Sequence, residues 1–213
     1  MELVGTVSFA VSGSLVAIGC SFDVFGVVTV GCITAVGGGI IRDIIIGSTP
    51  PRIFSNLPVL LLAILTSFFV FTFAYIYREK FKKIRSRAEM INVLFDALGL
   101  ASFSITGVEC VLESSFGNNV LLAITLGVIT GVGGGVIRDV LVNEKPYILV
   151  RHVYAVVSIV GCLLYYLIGS VLSYKVVATF FVLIFVVTMR LLAAKYRWKL
   201  PKITFDENGK PSK

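Results

Sequence analysis

Side chains suited to catalysis or metal binding are scarce in this chain of 213 residues. The sequence has a single histidine, His152, which excludes a histidine metal cluster. Four cysteines are scattered through apolar segments at positions 20, 32, 110 and 162, without metal-ligand spacing, as is typical of buried thiols that pack as small hydrophobic groups. No serine, cysteine and histidine constellation appears. We therefore expect no enzyme activity and no resident cofactor.

Charge is also scarce. Charged residues make up 15% of the chain, against about 25% in soluble domains. Hydrophobic residues make up 57% of it, and the mean hydropathy is +0.96. This composition predicts an integral membrane protein. No basic region precedes the first apolar run, so we expect no cleavable signal peptide and a first run that stays as a span.

The apolar runs predict an all-α integral membrane fold with seven transmembrane helices. A spanning helix needs about 20 mostly apolar residues, and these runs are too long and continuous for barrel strands. The predicted helices are Leu3–Cys20, Phe22–Ile46, Leu57–Tyr77, Ala88–Leu112, Asn119–Val142, Tyr147–Ser173 and Val176–Ala194. The chain then divides into a first three-helix unit (1–77), a basic loop (78–87), a second three-helix unit (88–173), a seventh helix (174–194) and a polar C-terminal tail (195–213).

Basic residues concentrate at two places beside the spans. These are Arg78, Lys80, Lys82, Lys83, Arg85 and Arg87, and then Lys195, Arg197, Lys199 and Lys202. Such clusters are typical of cytoplasmic loops, so we expect a cell membrane protein with its N-terminus outside and its C-terminus in the cytoplasm. Topology alone accounts for both clusters, and the alternative is additional contact of Lys80, Lys82, Lys83 and Arg85 with lipid headgroups. We expect no nucleic-acid binding, because no reader module is recognisable.

An internal repeat organises the chain. The phrase GGGIIRD at 37–43 returns as GGGVIRD at 133–139, and ELVGTVSFAVSG at 2–13 returns as DALGLASFSITG at 96–107. Because each unit has three spans, the two copies enter the membrane from opposite sides and form an inverted repeat. Such folds place transport pathways near the membrane midplane, at broken helices.

The two glycine triplets fall near the middle of predicted helices 2 and 5. Each glycine inside a helix costs roughly 1 kcal/mol relative to alanine. Close helix packing is one interpretation. The other is a kink or unwound stretch that lines a pathway, because three adjacent residues point in different directions. The candidate pathway residues are Gly37, Gly38, Gly39, Gly133, Gly134 and Gly135.

Charged residues follow both triplets, at a depth where charge is costly. They are Arg42, Asp43, Arg138 and Asp139. Each arginine lies about 6 Å along its helix axis from the middle glycine. Since helices 2 and 5 are antiparallel, we expect Arg42 near the outer mouth and Arg138 near the inner one, with no direct pair between Arg42 and Asp139. Glu2 and Asp96 occupy equivalent helix ends and are candidate partners, Asp96 being on the side of Arg138. These charges could form structural ion pairs, snorkel to the interface, or gate each mouth.

The duplicated phrases resemble those of prokaryotic trimeric intracellular cation (TRIC) channels, over all seven predicted helices. The resemblance implies a homotrimer in membrane lipid, with one potassium-permeable pore per subunit lined by kinked helices 2 and 5. Potassium or sodium would be the permeant ions. The sequence lacks a Thr-Val-Gly-Tyr-Gly filter, which fits monovalent-cation conduction without sharp potassium selectivity. Relatives also carry a glycine-transporter label, so the alternative is a secondary transporter of a small substrate such as glycine.

Overall fold

The computed structural model describes residues 1–78, 85–150, 153–172, 174–196, 198, 204–205 and 211–212. Their helices are α1 (Glu2–Gly19), α2 (Val24–Ile45), a 3-10 turn (Arg52–Phe54), α3 (Leu57–Ile76), α4 (Arg85–Leu112), α5 (Val120–Leu141), α6 (Tyr147–Val150), α7 (Val153–Tyr166), a π-helical turn (Leu167–Val171) and α8 (Lys175–Lys195). Two short strands, β1 (Thr204–Phe205) and β2 (Pro211–Ser212), pair antiparallel in the tail.

The all-α membrane fold is confirmed. Within the described ranges, six helices are long and apolar enough to span a membrane, and a seventh apolar segment, Tyr154–Ser170, is shorter. The predicted sixth helix ends in the π-helical turn, and residues 151–152, between α6 and α7, lie outside the described ranges. Residues 85–87, inside the interval predicted as a loop, belong to helix α4.

Helices α2 and α5 begin in the same way at equivalent positions. Asp23 Oδ1 accepts a hydrogen bond from the Gly26 N–H at 2.8 Å, and Asn119 Oδ1 accepts one from the Leu122 N–H at 3.0 Å. Each cap satisfies a backbone donor that the first helical turn leaves unpaired. The two capping residues therefore start the glycine-containing helices at the same point of each repeat.

The two repeats pack face to face. Helix α1 contacts α2, α3 and α4, helix α5 contacts α2, α4 and α7, and α8 packs against α4 and α7. Helices α2 and α5, which carry the glycine triplets, therefore meet at the interface between the repeats. The seventh predicted helix, α8, lies against the second repeat.

Each repeat packs one phenylalanine ring against a glycine of the other repeat. The rings of Phe9 and Phe103 have centroids 5.3 Å apart. Phe9 occupies the space where Gly99 would carry a Cβ atom, and the Phe103 ring lies 3.0 Å from the equivalent position on Gly5. This reciprocal contact is what an approximate twofold axis between inverted repeats produces.

Candidate functional site

Helices α2 and α5 cross in contact at their middle glycines. A Cβ atom on Gly38 would overlap the carbonyl oxygen of Thr130, and one on Gly134 would overlap the carbonyl oxygen of Thr34. Both obstacles are helix backbone, which cannot rotate away as a side chain can. The middle glycines are therefore required by the close approach of the two helices.

Neither triplet is unwound. Helix α2 is continuous from Val24 to Ile45, and α5 is continuous from Val120 to Leu141. The unwound stretch, one of the interpretations offered for the triplets, is therefore wrong, and the kink stays a prediction. The helices keep their own backbone hydrogen bonds, which satisfies these groups in lipid without help from a cavity. The pathway-lining role of Gly37–Gly39 and Gly133–Gly135 stays a prediction.

The third glycine of each triplet has a different environment. A Cβ atom on Gly39 would lie 3.8 Å from Nη2 of Arg42, and one on Gly135 would lie 3.8 Å from Nη2 of Arg138. The Gly135 position is also 3.4 Å from the Tyr154 hydroxyl. These are ordinary contact distances, so the third glycines adjoin the charged groups without being needed for helix contact.

A buried charge cluster lies at the end of α5. We call Asp96, Arg138, Asp139 and Arg190 the second-repeat cluster. Arg138 donates from Nε to Asp139 Oδ1 at 2.8 Å and from Nη1 to Asp96 Oδ1 at 2.9 Å, and Arg190 Nη2 lies 3.2 Å from Asp96 Oδ2. All four residues are at most 3% exposed. Two guanidinium groups face two carboxylates, so the formal charges of the cluster cancel, as burial demands.

Neutral groups complete this cluster from both repeats. Ser12, from the first repeat, accepts a hydrogen bond from Arg138 Nη1 at 2.6 Å and donates to Asn92 Oδ1 at 2.7 Å. The Tyr147 N–H donates to Asp139 Oδ2 at 2.8 Å. Ser12 therefore ties α1 to the charged end of α5 across the repeat interface.

The Tyr154 ring stacks against the Arg190 guanidinium group. The Arg190 guanidinium lies 4.2 Å from the centroid of the Tyr154 ring, a cation–π distance. The Tyr154 hydroxyl and Arg190 Nε are buried and have no hydrogen-bond partner among the residues that the structure describes. The crevice that Gly135, Arg138 and Tyr154 line has no room for a water molecule. The structure is therefore closed at this point.

The first-repeat cluster consists of Arg42, Asp43 and Arg52. Arg42 binds Asp43 Oδ1 through Nε at 2.9 Å and Nη2 at 2.8 Å. Arg52 lies in the 3-10 turn, donates its N–H to Asp43 Oδ2 at 2.9 Å and approaches Oδ1 with Nε at 3.4 Å. Its Nη2 also lies 2.7 Å from Cys110 Sγ. The Arg52 side chain is 54% exposed, whereas every member of the second-repeat cluster is at most 3% exposed.

Known proteins match almost the whole chain. The Glycine transporter family model matches residues 1–75 and 93–170. The UPF0126 inner membrane protein YadS of Escherichia coli (strain K12) is 37% identical, over 99% of this chain and 98% of that protein. A structure described as the structural basis for conductance through TRIC cation channels matches with a TM-score of 0.80 at 33% identity, over 96% of each chain. A prokaryotic TRIC channel crystallised in 0.5 M KCl matches with a TM-score of 0.81 at 36% identity, over 93% of this chain and 96% of that one.

The chain belongs to the prokaryotic TRIC channel family. Its hydrophobic spans and its relatives also make it an integral membrane protein. In this TRIC protein each arginine pairs with the aspartate that follows it, a contact that sequence reasoning did not single out. As expected, no ion pair joins Arg42 to Asp139 among the described residues. Asp96 pairs with Arg138, as its place in the repeat predicts.

The other candidate partner of the TRIC repeat behaves differently. Glu2, the equivalent of Asp96, is exposed, and no ion pair between Glu2 and Arg42 is present in the part of the chain that the structure describes. The additional charged contact in the first-repeat cluster is that of Arg52 with Asp43. Burial of part of the Arg52 side chain lowers its pKa, but the facing Cys110 and Asp43 outweigh this effect, so the pKa is raised overall and the side chain stays charged.

The proposed lipid contacts of this TRIC protein fall largely outside the described residues. Lys80, Lys82 and Lys83 lie there, and for Arg85 the structure describes only its place at the start of α4. Contact of these residues with lipid headgroups stays a prediction.

Sequence reasoning missed three members of the TRIC site, which are Arg190, Tyr154 and Arg52. Arg190 carried a usable signal, because it is a charge within the seventh apolar run and such a residue needs a partner. Tyr154 and Arg52 carried none, since a tyrosine in a span and an arginine in a loop are ordinary.

Proposed function

We propose that the chain is a channel for monovalent cations, permeable to potassium, with one pore in each subunit of a homotrimer. Potassium or sodium is the permeant ion, and no cofactor takes part. The single observation that best supports this proposal is the likeness of almost the whole chain to solved TRIC cation channels. The crossing of α2 and α5, with a charge cluster at each far end, supplies the geometry.

The proposed pathway follows α2 and α5 from one cluster to the other. It passes the third glycines, Gly39 and Gly135, which adjoin the arginines. Each mouth carries an arginine, which repels a cation, and an aspartate, which attracts one. Conduction then requires each arginine to move aside while the carboxylates stay near the path. In the proposed orientation Arg42 and Asp43 form the outer mouth, and Asp96, Arg138 and Asp139 form the inner mouth.

The same proposal gives the orientation and the surroundings. The N-terminus lies outside and the C-terminus in the cytoplasm of a cell membrane, since the basic stretches flank the spans on one side. Those stretches then face the anionic headgroups of the cytoplasmic leaflet.

Bilayer recording of the purified protein tests the channel. With a potassium chloride gradient, the expected result is unitary current that reverses near the potassium potential, and current that persists when gluconate replaces chloride. Protein-free bilayers are the control. Reversal at the chloride potential, or no unitary current in bilayers that contain protein, would overturn the proposal. The molar mass of the solubilised protein, corrected for detergent, tests the trimer, and a monomer mass would contradict it.

A secondary transporter of a small substrate such as glycine is the second candidate. The observation that favours it is the Glycine transporter model, which matches both repeats. Inverted repeats serve transporters as well as channels. Saturable, ion-coupled uptake of labelled glycine into proteoliposomes, without unitary current, would favour this function over a channel.

A further inference from the structure

We propose that Arg190 of α8, supported by Tyr154 of α7, is a positioning residue that keeps the second-repeat cluster closed by balancing its charge. Helix α8 then controls the mouth that contains the second-repeat cluster and does not affect the mouth that contains the first-repeat cluster. This inference rests on the proposed channel function and adds a regulatory element to it.

Charge balance is the first step of the argument. Without Arg190 the cluster would hold one guanidinium, on Arg138, and two carboxylates, on Asp96 and Asp139, for a formal charge of −1. All of these groups are at most 3% exposed. An uncompensated buried charge is strongly unfavourable, so it draws in water or a counter-ion. A channel mouth that water and a cation have entered is open.

The geometry of Asp96 is the second step. Its Oδ1 binds Arg138 at 2.9 Å and its Oδ2 binds Arg190 at 3.2 Å, so the carboxylate is held from both sides. Loss of Arg190 frees Oδ2 and lets the carboxylate rotate away from Arg138. The Tyr154 ring, 4.2 Å from the guanidinium, holds Arg190 in place. Since Arg190 Nε is unpaired within the described structure, charge and stacking hold this side chain more than hydrogen bonds do.

The contrast with the first repeat is the third step. In the first repeat, the second positive charge that faces Asp43 is that of Arg52, whose side chain is 54% exposed. Water can replace much of an exposed charge, so its removal has little effect. Helix α8 packs against α4 and α7, on the second repeat. A change at Arg190 should therefore act on one mouth only.

Single-channel recording of charge-changing variants is the test. We expect Arg190→Gln to raise open probability by about tenfold or more, since it leaves a buried charge unpaired. The Asp96→Asn/Arg190→Gln double variant is neutral again, so its open probability should lie below that of Arg190→Gln. Arg190→Lys should stay close to the wild type. Lys175→Gln is the matched control, because it removes the same charge from the opposite end of α8.

Variants of the supporting ring separate stacking from hydrogen bonding. Tyr154→Phe keeps the ring and should leave open probability unchanged, because the hydroxyl has no partner in the described structure. Tyr154→Leu removes the ring and should raise open probability in the direction of Arg190→Gln. If Arg190→Gln does not fold, the comparison of Tyr154→Leu with Tyr154→Phe tests the inference instead. Equal open probability in Tyr154→Leu and Tyr154→Phe, or in Arg190→Gln and the wild type, would overturn the inference.

A labelling experiment keeps this inference separate from the channel proposal. Val136 lines the closed crevice, so a Val136→Cys variant reports its opening to a water-soluble thiol reagent. Arg190→Gln should speed alkylation at position 136 by about tenfold, in proportion to the expected rise in the open population. An unchanged alkylation rate overturns the inference even in a protein that conducts. Faster alkylation in a protein without unitary current upholds the inference and rejects only the channel.

Discussion

Two neighbouring glycines of α5 offer a sharp test of how the repeats meet. In Gly134→Ala the new Cβ atom would overlap the Thr34 carbonyl oxygen and lie 3.2 Å from the Phe9 ring. In Gly135→Ala the nearest atom would be the Tyr154 hydroxyl at 3.4 Å, an ordinary contact. The two changes add the same methyl group one residue apart on the same helix. Any difference between them therefore reports the helix contact and not helix propensity.

The expected magnitudes follow from two opposing effects. Alanine favours a helix over glycine by roughly 1 kcal/mol. Overpacking costs about 1–3 kcal/mol, and contact with a helix backbone places Gly134→Ala near the upper figure. The net loss in the free energy of unfolding is then about 2 kcal/mol for Gly134→Ala, against a gain of up to about 1 kcal/mol for Gly135→Ala. For a chain of this length, that lowers the Tm of Gly134→Ala by about 4–8 °C.

Thermal unfolding of the detergent-solubilised protein, followed by loss of the monodisperse peak, measures both variants. Gly38→Ala is the symmetric control, since its Cβ atom would meet the Thr130 carbonyl oxygen, and its Tm should fall like that of Gly134→Ala. A Gly134→Ala protein as stable as the wild type would refute the backbone contact. So would an equal loss of Tm in Gly135→Ala.

Four further predictions concern orientation, the pKa of Cys20, the two mouths and a helix cap. Cys20 lies just past α1 and should react with a membrane-impermeant maleimide from the cytoplasmic side only. Burial and the Glu144 charge raise the pKa of Cys20, so Glu144→Gln should lower that pKa and speed alkylation at pH 8, and an unchanged rate would contradict this. Arg138→Ala should change block from the inner side and Arg42→Ala from the outer side, whereas equal effects of side-specific blockers would reject the assignment of mouths. Asn119→Ala should cost about 1 kcal/mol through loss of the α5 cap, a fall in Tm of about 2–4 °C, and an unchanged Tm would show that the cap contributes nothing.

Much of the fold could be predicted because its signals are local. Apolar runs mark the spans, and a repeat with an odd number of spans is inverted by geometry alone. The repeat also placed Asp96 on the side of Arg138, where the structure has the two groups 2.9 Å apart. The symmetry of the repeat therefore predicted a contact between two residues that lie 42 positions apart.

The remaining features depend on neighbours that the sequence cannot place. A glycine triplet is compatible with a break or with a close crossing, and only the position of the Thr34 and Thr130 carbonyl groups decides between them. Arg190 lies 94 residues from Asp96 and outside the repeat, so no symmetry points to their contact. Arg52 likewise reaches Asp43 only because the turn after α2 brings it there.

The exchange of Phe9 and Phe103 has a consequence for how such a chain could arise. Each repeat inserts a ring beside a glycine of the other and receives the same in return, as two subunits do across an isologous dimer contact. A surface of this kind recognises a copy of itself. Two separate three-helix chains, inserted in opposite directions, would already present matching faces before any gene fusion. Fusion would then preserve a pairing that the surfaces specify, and it would free each half to diverge, as Arg52 of the first repeat shows.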